Sequence, residues 1–370
     1  MELHSSLLTI DLDAIADNYR LLRDRSQGVE IAAVVKADAY GLGVEMVAPV
    51  LSDVGCRCFF VATLEEGIEL RGILDTGDVH VLNGPLPGQS AAFTDHKLVP
   101  VLNSINQIEE WNRHCRIQEE KLKADLHVDT GMSRLGMDDR ERRHLETTPS
   151  LLEDLALDIV ISHLACSDES EHPKNGQQLE KFVTYVGKFG GRRASLAASC
   201  GFFLPPEFHF QVVRAGIALF GALPVSDKPN PMAQVVRLQG KIMQVRSVDT
   251  PQTVGYGATH TIAGPGNIAT VAVGYADGYP RSLSNSGTAF IGDYEVPIVG
   301  RVSMDLTTFD ISDIPDDIAR PGVMVDLIGP HNSIDQLAKQ SGTIDYEILT
   351  NLGKRYHRIY TGIEHEGACQ

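Results

Sequence analysis

A chain of 370 residues exceeds what one hydrophobic core usually serves, and its 43% hydrophobic, 22% charged composition suits a globular protein of two domains. A formal net charge of -17 with no Lys/Arg run argues against a nucleic-acid partner, and no run of about 18 to 20 apolar residues offers a membrane span. The opening MELHSSLLTIDLDAI has no basic leader before an apolar run, so a cytoplasmic location is expected.

From residue 7, short β-branched runs alternate with helical spacing. LLTIDL precedes a helix over 13–25, EIAAVVKA one over 44–54, and CRCFFVA one over 64–72. The alternation continues through VHVLN, KLVPVLN, ADLHVDT, LDIVISHLA, RASLAAS and FQVVRAGIALFG. Parallel neighbours need a crossover, usually helical, so this pattern predicts a parallel α/β sheet. Nine strand-like runs before residue 222, LLTIDL among them, lie close enough to eight to favour a closed (β/α)8 barrel over a doubly wound sheet. Three prolines between Pro224 and Pro231 mark a linker. Beyond it come VVRLQGKIMQVRSV, NIATVAVGYADGY, TAFIGDYEVPIV, LTTFDI and VMVDLIG, with short helices expected near 334–341 and 345–353. The expected domains are therefore 1–232, a barrel, and 233–370, mostly β.

Cys56, Cys58, Cys115, Cys166, Cys200 and Cys369 show no C-x-x-C spacing, and no H-E-x-x-H or Cys/His cluster occurs, so no metal is expected. Cys56 and Cys58 are read as packing residues on one face of a strand. GLGVEM lacks the third glycine of a dinucleotide loop. The sharpest local feature is VVKADAYGLG, where an apolar strand runs into Lys36 and then Tyr40, Gly41 and Gly43. A buried ammonium is costly unless paired or neutralised, and the C-terminal end of a barrel strand is where barrel active sites are built. Taken alone, such a lysine fits a solvated strand end equally well.

That segment resembles the cofactor-lysine motif of alanine racemases, and DTGMSRLG, SHLACSDE, ASCGF, VRAGIALFG, VGYGATH, VGYADGY, GRVSMD and IDYE match the same family in order across nearly the whole chain. The resemblance implies an N-terminal (β/α)8 barrel, a C-terminal β domain and a head-to-tail homodimer. It implies pyridoxal 5′-phosphate carried on Lys36, which then acts as the base for the D-enantiomer. Tyr256 in VGYGATH matches the residue that serves the L-enantiomer from the partner subunit. Since tyrosine titrates near 10 when unperturbed, Tyr256 needs help from nearby donors or positive charge.

By the same resemblance His163 lies near the cofactor and this tyrosine; Ser199, Gly216, Ile217, Tyr40 and Tyr346 hold the phosphate; Leu82 packs beside the cofactor. Arg214 faces the pyridine nitrogen, which a guanidinium leaves unprotonated because it can only donate hydrogen bonds. Arg134 contacts the cofactor's phenolic oxygen and the substrate carboxylate, Met304 offers that carboxylate its backbone N–H, and Asp305 orients the loop. Tyr275, Arg281 and Arg301 resemble residues of the passage to the site, with Asp168 facing them, although a solvated surface explains these four nearly as well.

One position departs from the family. Where many members have a carbamylated lysine two residues before the aspartate of D-T-G-M, this chain has His127, and a neutral imidazole carries no negative charge. Arg134 is then expected to be oriented by His127, by another acceptor or by a bound anion such as chloride. Alanine is the expected substrate, with a role in supplying D-alanine for a bacterial wall. A racemase of serine, lysine or a broader set of amino acids, a related decarboxylase, and a non-enzymatic carrier of the cofactor are the alternatives; VGYGATH and GRVSMD argue against the last.

Overall fold

A computed structural model describes residues 3–189, 192–225 and 229–362, so Cys369 and the middle of the expected linker lie outside the described residues. The chain divides into two compact units. One is Ile15–Ala233; the other joins the described residues up to Ala14 with those from Gln234 onward.

The first strand, β1 (Ser6–Asp11), pairs antiparallel with β10 (Val236–Val248), not with the barrel strands among which LLTIDL was counted. Removing it leaves eight strands in the first unit: β2 (Glu30–Val34), β3 (Cys58–Val61), β4 (Asp78–Val81), β5 (Leu98–Leu102), β6 (Lys123–His127), β7 (Ala156–Ile161), β8 (Arg193–Ser195) and β9 (Val212–Ala215). All neighbours run parallel, in the order β8-β7-β6-β5-β4-β3-β2-β9. The ring closes between β8 and β9 through an isolated bridge at Ala198 and Arg214, where Arg214 N–H donates to the Ala197 carbonyl at 3.0 Å. Helices such as Val44–Asp53, Leu64–Ile73 and Ile105–Gln118 follow their strands, and the helix over Leu12–Arg25 precedes β2, as the apolar spacing requires.

At the N-terminal ends of the barrel strands charges alternate in sign. Arg193 of β8 forks onto Asp158 of β7 (2.8 and 2.6 Å) and also pairs with Glu30 of β2; Lys123 of β6 bridges Asp158 at 2.9 Å and Asp78 of β4 at 2.6 Å. Above this layer His80 and Asp125 form a fully buried pair, 2.6 Å apart.

In the second unit β1 also pairs parallel with β18 (His357–Thr361), while β10 pairs with β13 (Gly266–Val271) and β17 (Met324–Ile328). The strands β14 (Thr288–Ile291), β15 (Tyr294–Pro297) and β16 (Thr307–Asp310) complete this eight-stranded sheet. A separate two-stranded ribbon joins β11 (Gln252–Val254) to β12 (His260–Ile262). Helices Ile334–Ser341 and Asp345–Thr350 lie where helical spacing was expected. Among the described residues no helix is long and apolar enough to cross a membrane.

Burial by itself pushes the Asp158 carboxyl up, but hydrogen bonds from Arg193 and Lys123 outweigh it and bring its pKa down to about 2. A folded-state pKa below the unfolded one means stabilisation present above about pH 4 and lost as pH falls through 2. Asp158→Asn should therefore lower stability at pH 7 by about 2 kcal/mol and narrow its difference from the parent between pH 4 and 2, as read by urea unfolding. A difference independent of pH would place the effect elsewhere.

Candidate active site

The C-terminal ends of the eight barrel strands bring together residues scattered over the first 220 positions. Lys36 follows β2, Leu82 follows β4, His127 ends β6, His163 follows β7, Ser199 follows β8 and Gly216 follows β9. The chain leaves Lys36 through a single left-handed turn: Ala37, Asp38, Ala39 and Tyr40 have φ of 53°, 55°, 52° and 58°. Non-glycine residues enter this region singly as a rule, so a run of four must be held by its surroundings. Glu66 supplies one restraint: its carboxylate accepts from Ala37 N–H at 2.8 Å and from Ala62 N–H at 2.7 Å, and it closes a capping box with Thr63. Asp38 supplies another by accepting from Val44 N–H at 2.7 Å.

Half-buried Lys36 has its ammonium pKa lowered, first by burial and then by Arg134, with Glu66 opposing and Arg214 adding to the fall. The shift makes the free amine easier to reach than for a solvated lysine. Arg214 lies in the pocket wall, 4% exposed. Its Nη1 donates to the Ser195 carbonyl at 2.8 Å, and its Nη2 donates to the Ser162 carbonyl at 2.6 Å and to His163 Nδ1 at 3.2 Å. An acceptor at Nδ1 leaves the His163 proton on Nε2. Burial, then Arg214, Arg134, His127 and Lys36 hold this imidazole well below its ordinary pKa. Burial likewise pushes Arg214 down, to about 10.

Ser199, Gly216 and Tyr40 converge on a cradle for an anion. The Ser199 hydroxyl accepts from the N–H groups of Gly216 at 2.8 Å and Ala218 at 3.2 Å, at the start of the turn Ile217–Phe220. A Cβ on Gly216 would lie 2.3 Å from Tyr40 Oη, so glycine is required for this closeness. Buried Tyr40 packs its ring on Phe220, with centroids 4.8 Å apart. A hydroxyl, a phenol and backbone N–H groups, here those of Gly216 and Ala218 gathered on Ser199 Oγ, are donors of the kind a phosphate group uses.

Arg134 is exposed on a loop organised by Asp129, whose carboxylate accepts from the N–H groups of Gly131, Met132 and Ser133 at 2.8, 2.9 and 3.2 Å. The loop returns to β6 through Met137 N–H donating to the His127 carbonyl at 2.8 Å. His127 does not hydrogen-bond Arg134; its Nδ1 lies 2.7 Å from Asn103 Oδ1. Buried Gln178, on the helix Pro173–Phe189, ties the loops after β6 and β7 by donating to Thr130 Oγ1 and the His163 carbonyl and accepting from Ala165 N–H. Glu66, Asn103 and Gln178 escaped the sequence reading. Only Glu66 had a signal there, the Thr63-x-x-Glu66 capping pattern.

The second unit holds the remaining candidates except Asp168. Tyr256 begins a tight turn and is 71% exposed; Arg301 lies against that turn, since a Cβ on Gly257 would be 3.0 Å from its Nη1. Met304 is 54% exposed, and its backbone N–H has no hydrogen-bond partner among the described residues. Its loop is fixed from below: Tyr275 N–H donates to the Ser303 carbonyl and Ala276 N–H to the Met304 carbonyl, both at 3.0 Å. Arg355 joins Asp305 at 2.8 Å to buried Asp277 at 3.0 Å. Tyr346 sits, partly exposed, in the helix Asp345–Thr350. Arg281 opens a short turn of its own, and Asp168 lies in the barrel unit after β7. Among the described residues, the metal-ligand cluster Asp78, His80 and Asp158 already has the Lys123 ammonium against both carboxylates.

Gly216→Ala should weaken pyridoxal phosphate binding about tenfold or more, since overpacking a filled site costs on the order of 1 to 3 kcal/mol; absorbance titration would read it. Unchanged affinity would mean that Tyr40 yields freely.

Comparison with known proteins gives one family along nearly the whole chain. The alanine racemase N-terminal domain matches residues 10–224 and the alanine racemase C-terminal domain matches 235–360. An alanine racemase of Rhodospirillum rubrum is 50% identical over 368 residues, 99% of this chain and 98% of its own length. One from Acidiphilium cryptum is 45% identical over 96% of this chain and 99% of its own. The solved alanine racemase of Bartonella henselae with covalently bound pyridoxal phosphate has a TM-score of 0.93 at 39% identity, covering 96% of this chain and 99% of that one. By sequence over its full length and by fold, the chain belongs to the alanine racemase family.

Proposed function

We propose that this chain interconverts L- and D-alanine with pyridoxal 5′-phosphate bound at Lys36, and that Tyr256 of a second copy completes each site. The observation that carries the reading is the placement of Lys36 and of the Ser199–Gly216–Tyr40 group at the C-terminal ends of the barrel strands, in a chain whose relatives at 43 to 50% identity are alanine racemases. When bound, the cofactor supplies the electron sink that makes an amino acid's α-proton removable.

The protein's part is to hold groups and move protons. Lys36, uncharged, takes or returns the α-proton on the face that serves the D-enantiomer; Tyr256 does so on the opposite face for the L-enantiomer. Its exposure on the second unit suits a residue that works in a partner's site. Ser199, Gly216, Ile217, Tyr40 and Tyr346 hold the phosphate, Leu82 packs beside the ring, and Arg134 with the Met304 N–H receives the substrate carboxylate. Arg214 turns Nη1 and Nη2 to carbonyls and His163, leaving Nε–H for the pyridine nitrogen. An arginine there keeps that nitrogen unprotonated and limits charge delocalisation into the ring, which disfavours transamination. Cys56, Cys58, Cys115, Cys166 and Cys200 are free thiols, in keeping with a cytoplasmic enzyme that supplies D-alanine for a bacterial wall.

Incubating the holoenzyme with each L-amino acid and resolving enantiomers by chiral chromatography should show conversion fastest with alanine and reduced about a thousandfold or more in Lys36→Ala. A faster rate with serine or lysine would change the substrate, and carbon dioxide release would point to a decarboxylase. Mixing inactive Lys36→Ala and Tyr256→Phe chains should restore part of the activity, because a hybrid dimer holds one intact site; no recovery in proven hybrids would overturn the shared site. Arg214→Glu should raise the ratio of transamination to racemisation, and a constant ratio would remove Arg214 from reaction control.

A further inference from the structure

Asn103 has no motif around it, yet each of its side-chain atoms is committed. It follows β5, is 4% exposed, and donates from Nδ2 to the Leu82 carbonyl at 3.0 Å and to the Val101 carbonyl at 2.8 Å. Turning the amide over would set Oδ1 against two carbonyl oxygens, so its orientation is decided by chemistry. Oδ1 therefore faces His127 as an acceptor, 2.7 Å from Nδ1, and Nδ1 must carry the hydrogen. The backbone restrains the residue as well, since Asn103 N–H donates to Gln107 Oε1 at 2.7 Å.

We propose that Asn103 is a positioning residue that fixes His127 as its Nδ1–H tautomer, leaving Nε2 the bare, uncharged nitrogen of the ring. The groups that act on this imidazole come from three elements: Arg214 of β9, Arg134 and Asp129 of the loop after β6, and His163 after β7. Burial, Arg214 and Arg134 hold His127 down to about 4 against the pull of Asp129. A carbamate would answer this positive charge with its own negative one; here a neutral ring with a directed lone pair takes that place, and the loop carrying Arg134 folds back over it. Gly136, at φ 102°, makes room, because a Cβ there would lie 3.0 Å from His127 Cδ2.

The test is spectroscopic. Long-range 1H–15N correlation of the holoenzyme labelled at histidine, with His127→Gln to identify the signal, should show His127 protonated at Nδ1 and bare at Nε2 from pH 8 to 5.5. Asn103→Asp replaces the amide oxygen by a carboxylate, so His127 should then gain a proton within that range, and the KM for alanine should acquire a pH dependence there that differs about tenfold from the parent's, with kcat less affected. A wild-type His127 protonated at Nε2, or titrating near 6.5, overturns the proposal, and that measurement decides it even if Asn103→Asp fails to fold. The same KM profile in variant and parent would also overturn it. The KM arm rests on the alanine reading; the tautomer arm does not, so failure of one is distinguishable from failure of the other.

Discussion

A guanidinium enclosed in a protein must find an acceptor for the N–H groups it turns inward, or the charge becomes untenable. Arg214 meets this demand with the carbonyls of Ser162 and Ser195 and with His163 Nδ1. These acceptors come from the ends of β7 and β8, while Arg214 itself belongs to β9. The side chain thus spans the seam at which the barrel closes, where β8 has three residues and a lone bridge stands in for a ladder. One ion sets the geometry of that seam, the tautomer of His163 and part of the depressed basicity of Lys36 and His127. Closure of the barrel and tuning of the pocket are therefore one physical problem here.

Around that ion the pocket is kept short of negative charge. Arg214, the buried one of its cations, is answered by carbonyl dipoles and an imidazole nitrogen, and a second, amide-locked imidazole stands at the end of β6. Where carboxylates do occur, as in Glu66, Asp38 and Asp129, they are occupied with backbone N–H groups and act on chain direction. An arrangement of this kind favours anionic ligands.

The parallel barrel was legible because β-branched runs and helical spacing alternate with short connections, and the second unit because that alternation stops after residue 222. LLTIDL shows where such reading ends. Its composition suits a strand in any sheet, and only long-range pairing with β10 and β18 decides which sheet it joins. Candidate site residues within extended motifs, such as Lys36, Arg134, Ser199 and Arg214, could be named through resemblance. Asn103 and Gln178 could not, since each acts through a few hydrogen bonds, some of them formed across 15 to 48 positions of sequence. Nor can a sequence state which nitrogen of His127 bears a proton; that depends on which way a neighbouring amide is turned.

The left-handed turn after Lys36 has a consequence for chirality itself. Four L-residues held at positive φ cost on the order of 1 to 2 kcal/mol each, an expense met when the chain folds and independent of what later fills the pocket. The direction in which the lysine leaves the strand is consequently set in advance, as in a spring compressed during assembly. For D-residues the same backbone is the relaxed one. A semisynthetic chain with D-alanine at positions 37 and 39 would release about half of the stored strain, so that an enzyme able to make D-alanine would itself be steadied by carrying it.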